Sequence, residues 1–125
     1  MKFSVIGCSP AWPNPGGAHS GYVLEHSSGR LLIDCGPGVL GRLREREGWP
    51  RVDAIAITHF HLDHWGDLVP WVWGTFYGLG RGRAHPELWL PPDGSRFLVL
   101  ATAEDRQEQP AVVVLNWPAA GGPGR

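Results

Sequence analysis

The sequence predicts a mixed α/β fold, and three observations predict it. Short apolar runs of strand character recur along the chain. Ser27-Ser28-Gly29 joins two of them as a hairpin turn, and an amphipathic helical pattern falls between strands. At 125 residues the chain is at most one domain, large enough for a modest core. Its 42% hydrophobic and 18% charged shares exclude a disordered chain.

The elements follow in order. Residues 3–7 read as a buried opening strand, and the proline- and glycine-dense residues 8–17 as a loop. Residues 21–26 and 30–35 are the two arms of the hairpin, and Gly36-Pro37-Gly38 breaks the second arm. Residues 39–47 carry Val39, Leu40 and Leu43 at helical spacing, with Arg42, Arg44 and Arg46 between them on a solvated face. Residues 52–58 form the clearest strand and deliver the chain into His59. Leu68, Val69, Trp71 and Val72 continue as a helix that holds Pro70 in its first turn, and residues 87–90 are a further short strand. A helix capped by Ser95 is expected over residues 95–103, and one strand over 111–115. The domain reading is one half-domain over residues 1–103 and a poorly organised tail over 104–125.

Composition bounds the function. A formal net charge of -1 gives no overall pull toward nucleic acid or an anionic membrane, although a local patch acts independently of the total. No run of about 18 apolar residues is present, so no membrane span is expected, and residues 1–7 do not read as a secretory signal. Cys8 and Cys35 do not make a disulfide framework and read as small buried hydrophobes, which sets a cytoplasmic location as the expectation. Of the seven tryptophans, those at 65–73 cluster beside the histidines and are expected to wall an apolar pocket.

The chemistry concentrates in Thr58-His59-Phe60-His61-Leu62-Asp63-His64. His59 and His61 are two apart, so in an extended segment they point to the same side, and Asp63 and His64 follow where the chain must turn. Three imidazoles and a carboxylate at the C-terminal end of a hydrophobic strand suit Zn²⁺, with Fe²⁺ or Mn²⁺ as alternatives. The C-terminal ends of strands are also where α/β proteins place their sites.

This run, His-x-His-x-Asp-His after a strand ending in Thr, resembles the signature of the metallo-β-lactamase superfamily. Ile6-Gly7-Cys8-Ser9, Ser20-Gly21-Tyr22-Val23-Leu24-Glu25, Leu32-Ile33-Asp34-Cys35-Gly36-Pro37-Gly38 and His64-Trp65-Gly66-Asp67-Leu68 look like its ribonuclease Z-like branch. That branch also contains cyclic-nucleotide phosphodiesterases. The resemblance covers roughly residues 3–95. It implies the N-terminal half of an αββα sandwich and a two-zinc site, in which His59 and His61 bind one ion while Asp63 and His64 bind the other. A hydroxide held between the ions would attack a phosphodiester, with Asp63 orienting it or accepting its proton. Asp34 and Asp67 are candidates to support the ligating histidines, with a strand-end cap and a helix N-cap as the equal alternatives.

The resemblance also implies ligands that the sequence does not supply. A zinc pair wants seven or eight donors and the run provides four. His85 reads as a loop residue, whereas His19, beside the proline-rich loop, could reach the site. Two functions stay open: a metallohydrolase acting on a small-molecule or nucleic-acid phosphodiester, and an incomplete half-domain that binds metal weakly. The second carries the expectation of a fragment that pairs with a C-terminal half or forms a homodimer. A third reading, tRNA processing, rests on the resemblance alone; Arg42, Arg44, Arg46, Arg81 and Arg83 are its candidate phosphate contacts, with a solvated helix face and a loop as the alternative.

Overall fold

The computed structural model describes residues 1–91. The helix expected over 95–103, the strand over 111–115 and the boundary near 103 lie outside them. Strand β1 is Lys2–Gly7, β2 Gly21–His26 and β3 Gly29–Ile33. Helix α1, Val39–Arg46, leads to strand β4, Ala54–Ala56. Helices α2, Leu62–Trp65, and α3, Leu68–Tyr77, precede strand β5, Glu87–Trp89. The five strands form one sheet in the order β1-β2-β3-β4-β5. Neighbours are antiparallel from β1 to β3 and parallel from β3 to β5. Each parallel step needs a crossover, and the helices between β3 and β5 supply it. Among the described residues no helix is long and apolar enough to cross a membrane.

The core forms where the helices meet one face of this sheet. Val23, Leu32 and Ile55 lie in register across β2, β3 and β4 and are essentially inaccessible. They share one cluster with Val39, Leu40 and Leu43 of α1 and Leu68 and Trp71 of α3. Trp49 meets Trp71 edge-on, with ring centroids 5.8 Å apart. Helical spacing turns Trp73, two residues on, to the opposite side, where it is exposed. Trp65 donates its indole N–H to the Phe60 carbonyl at 3.2 Å. Of the tryptophans expected to wall one pocket, Trp71 therefore serves the core and Trp65 the loop, while Trp73 is exposed on the other side of α3. Trimming Ile55 to Val removes one fully buried methylene and is expected to cost about 1 kcal/mol, checked by urea denaturation.

The other face of the sheet is also apolar. One cross-strand row reads Val5-Tyr22-Ile33-Ala56-Trp89, and the next reads Phe3-Leu24-Leu31-Ala54-Glu87. Strands covered on both faces carry near-continuous apolar runs, and these strands do. Yet Phe3 is 59% exposed, Val5 55% and Trp89 54%.

The structure differs from the sequence reading at four local points. Strand β3 stops at Ile33, two residues early, because Asp34 turns left-handed at φ 59. Strand β4 keeps only three residues, although Val52 and Ile57 flank it in the core. A short helix, α2, forms where only a turn was expected. Arg42 leaves the solvated face of α1 and donates to the carbonyls of Ile6 and Gly16, clamping the N-terminal loop.

Candidate metal centre

The site begins at the end of β3. Asp34 is 2% exposed, and a buried carboxylate must find donors. Its Oδ1 accepts the Thr58 backbone N–H at 2.8 Å and the Thr58 hydroxyl at 2.9 Å. Its Oδ2 lies 2.7 Å from Nδ1 of His64. The left-handed turn that ends β3 is tolerated by Asp and aims the carboxylate across to the neighbouring strand end. One side chain thus ties together the exit of β3, the exit of β4 and helix α2.

The histidine run lies just beyond β4. His59 and His61 have ring centroids 4.7 Å apart, and His59 and His64 3.8 Å apart. His64 Nε2 lies 3.4 Å from Asp63 Oδ2. With Nδ1 occupied by Asp34, Nε2 is the nitrogen left to ligate. Adjacent ligands on a tetrahedral zinc with bonds of 2.0–2.1 Å stand about 3.3 Å apart, so this nitrogen and oxygen fit neighbouring positions of one shell. Among the described residues, no group of three or more His, Cys, Asp or Glu side chains is placed to hold a metal by itself. The donor set fits the metal in kind and, for Asp63 and His64, in spacing. It does not close a shell.

Three segments press together beneath the run. Ser20 donates its backbone N–H to Asp63, Gly36 donates to Ser20, and Cys35 donates to His64. A Cβ at Gly36 would collide with the Asp63 carbonyl and stand 2.7 Å from the His19 Cβ. Cys35 is sealed in the core, and burial, then the charges of Asp67 and Asp34, push its thiol well above the usual range. Cys8, expected to be buried like Cys35, is exposed, because it sits where β1 runs out into the loop.

Asp67 separates the two alternatives left open for it. Its Oδ2 accepts the Leu40 backbone N–H at 2.8 Å, so it caps α1, the helix before it in the chain, and makes no side-chain cap for α3. Burial pushes this carboxyl up, against the backbone N–H groups of Leu40, Gly38 and Val39 and the His19 charge. A carboxyl whose folded pKa lies above its unfolded value stabilises the fold most at low pH, and loses that contribution as pH rises through the folded value. Asp67→Ala is expected to cost about 1–2 kcal/mol through the lost cap. Urea titrations should give a larger cost below the ordinary carboxylate range than at neutral pH.

The remaining histidines divide. His85 is exposed in the loop before β5, near Phe76, as expected. His26 is exposed on the hairpin, with Nδ1 2.9 Å from the Ser28 hydroxyl. His19 is only 6% exposed, packs against Gly36 beside the Asp63 carbonyl, and leaves Nδ1 with no hydrogen-bond partner among the described residues. Its Cβ stands beneath the metal loop, and among the described residues no hydrogen bond or ring stacking joins its imidazole to His59, His61, Asp63 or His64. Thr58 was read only as the strand's last residue. Its contacts with Asp34 and its hydroxyl 3.1 Å from His59 Nδ1 make it part of the site, and no sequence spacing signals this.

Known proteins are similar to this chain. A family model described as the metallo-beta-lactamase superfamily matches residues 14–123, continuing past the point near 95 where the sequence pattern faded. The probable metallo-hydrolase YhfI of Bacillus subtilis is 37% identical over 85 residues, covering 66% of this chain and 35% of that protein. Its crystal structure matches at a TM-score of 0.50 over 54% of this chain and 28% of that one. A ribonuclease Z of Salinibacter ruber is 39% identical over 102 residues, covering 78% of this chain and 31% of its own length. A diphosphatase of the PhnP family shares the fold at a TM-score of 0.50 and 23% identity, over 69% of this chain and 39% of that one. The chain thus spans about a third of the length of these curated relatives. With the family model covering most of its residues, and the histidine run standing at the end of β4, the chain belongs to the metallo-β-lactamase superfamily.

Proposed function

We propose that this chain provides the first half of a metal-dependent phosphodiesterase of the ribonuclease Z-like kind, built on a dinuclear zinc site. The observation that carries the reading is His64 held by Asp34 at Nδ1, with its Nε2 3.4 Å from the Asp63 carboxylate. The superfamily generally binds divalent metals, usually zinc, and the relatives named ribonuclease Z support a phosphodiester substrate, whether small molecule or nucleic acid. His59 and His61 would hold one ion, and Asp63 and His64 the other. When bound, the metals supply a water of lowered pKa and positive charge facing the reacting phosphoryl group. The chain's own residues do the rest. Asp34 and Thr58 fix the imidazoles of His64 and His59, and the free face of the Asp63 carboxylate orients the nucleophile or takes its proton.

Elemental analysis and hydrolysis of a chromogenic phosphodiester test this together. Bound zinc, iron or manganese that is lost in His59→Ala, with turnover that follows the metal, is the expected result. No bound metal, and no change on His59→Ala, would sink the reading.

A second reading is favoured by the absence of a three-donor group among the described residues. On it the chain binds metal weakly and requires further ligands from a second half or a second chain. Metal bound without turnover supports this version, and robust turnover by the 125-residue chain alone excludes it.

A further inference from the structure

The end of the sheet opposite the histidine run carries a second concave site. The hairpin turn joins β2 to β3 there, and the loops that enter β4 and β5 reach the same end, because β3, β4 and β5 run parallel. Between them lies a cleft of about 810 Å³, lined by residues 25–30 of the hairpin, Glu47 beyond α1, residues 49–53, and Arg83 and Ala84. That volume is in the range of small-molecule sites. Trp49 and Val52, both buried, form its apolar back. All the lining residues come before β5, which carries the chain away toward the metal end.

The hydrogen bonds decide which of its charges are free. Arg30 is fixed by acceptors on two sides. Its Nη1 bonds the Glu47 carboxylate and, at 3.1 Å, the Arg51 carbonyl, while its Nε lies 3.3 Å from Glu25. Glu25 also pairs with Lys2 at 3.1 Å. Glu47 accepts the Arg51 backbone N–H at 3.2 Å, and Asp53 accepts that of Arg30 at 2.6 Å. Every carboxylate lining the cleft is therefore already engaged. Arg51 and Arg83 are exposed, and among the described residues neither guanidinium has a hydrogen bond or an ion pair. Nη2 of Arg30 is uncommitted in the same way. His26 accepts the Ser28 N–H on Nδ1 at 3.3 Å, which puts the proton of the neutral ring on Nε2. What remains free around the cleft is a set of donors, two of them cations with no paired carboxylate.

We propose that this cleft binds a small phosphate monoester, clasped by Arg51 and Arg83, with Arg30 Nη2 and His26 Nε2 as further donors. A guanidinium fork matches two phosphate oxygens at once, and a monoester brings three terminal oxygens with close to two negative charges at neutral pH. A phosphodiester or a carboxylate has one terminal oxygen fewer and a single charge, so it satisfies fewer of these donors. The apolar back takes the carbon skeleton. The length of β3, roughly 16 Å, separates this ligand from the histidine run. Occupancy therefore needs no metal, and the site stands apart from the hydrolase reading.

Isothermal titration of the 125-residue chain with glycerol phosphate is expected to show saturable binding that glycerol does not share. The double variant Arg51→Gln with Arg83→Gln should weaken it by at least about tenfold. Its melting temperature should not change, because neither guanidinium has a partner in the described fold. Arg51→Lys, which keeps the charge and loses the fork, should fall between the parent and the double variant. His59→Ala, at the other end of the sheet, should leave the affinity as it is, whether or not the parent chain holds metal. Binding lost in His59→Ala and kept in the double variant would place the phosphate at the histidine run and overturn the proposal. Absence of saturable binding, as when residues beyond 91 occupy the cleft, overturns it, and so does equal affinity in the parent and the double variant. Binding of a terminally phosphorylated oligonucleotide without binding of glycerol phosphate overturns the assignment to a small molecule.

Discussion

Asp34→Asn is expected to lower zinc affinity by about 10–100-fold while leaving the fold intact. As a carboxylate, Asp34 accepts from all its neighbours, the Thr58 N–H, the Thr58 hydroxyl and His64 Nδ1. That leaves the proton of His64 on Nδ1 and the lone pair on Nε2, facing Asp63. An amide cannot do the same work on both sides. If its oxygen keeps the Thr58 donors, its NH₂ turns to Nδ1, which must then accept, and the proton moves to Nε2 and blocks the ligating nitrogen. Asn is chosen because it also tolerates the left-handed backbone at φ 59, so the loss reads on the ligand and not on the turn. Competition against a chromogenic chelator measures the affinity, with thermal melting as the control. An affinity within about twofold of the parent would mean that Asp34 only ends the strand and does not set the state of His64.

This residue also marks where the sequence stops being legible. The hairpin, α1 and the entry of the chain into the histidines follow from local patterns, because alternation and helical spacing act within a few residues. Strand β2 appears with the bounds that its alternation implied. Contacts between distant segments leave no such trace. Trp49 pairs with Trp71 across the core, Asp67 caps a helix that begins 28 positions before it, and Arg42 reaches back to Ile6 and Gly16. The proximity of tryptophans 65, 71 and 73 in sequence suggested a shared pocket, and helix geometry separated them instead. The four candidate donors of the histidine run could be named from the sequence because they are contiguous. Thr58 and the choice between roles for Asp34 and Asp67 became readable only when β3 and β4 lay side by side.

Gly36→Ala is expected to destabilise the chain by about 3–4 kcal/mol, because a methyl group there has nowhere to go. Its Cβ would overlap the Asp63 carbonyl and crowd the Cβ of His19, and both obstacles are held by backbone. Ser20 N–H bonds to that same Asp63 carbonyl at 3.2 Å, Gly36 N–H bonds to Ser20 at 2.9 Å, and Cys35 N–H bonds to His64 at 2.7 Å. Relief of the clash must separate segments that these bonds hold together, and one of them carries Asp63 and His64. The melting temperature should therefore fall by at least about 10 °C, and residual zinc affinity should fall with it. Gly41→Ala supplies the contrast. It lies in α1 with nothing within 4 Å of an added Cβ, so the same chemical change should stabilise by about 0.5–1 kcal/mol through helix propensity. Equal effects of the two substitutions would refute the close approach at Gly36. Opposite signs, with metal binding altered only at Gly36, would show that packing beneath the loop positions the ligands as much as their own backbone does.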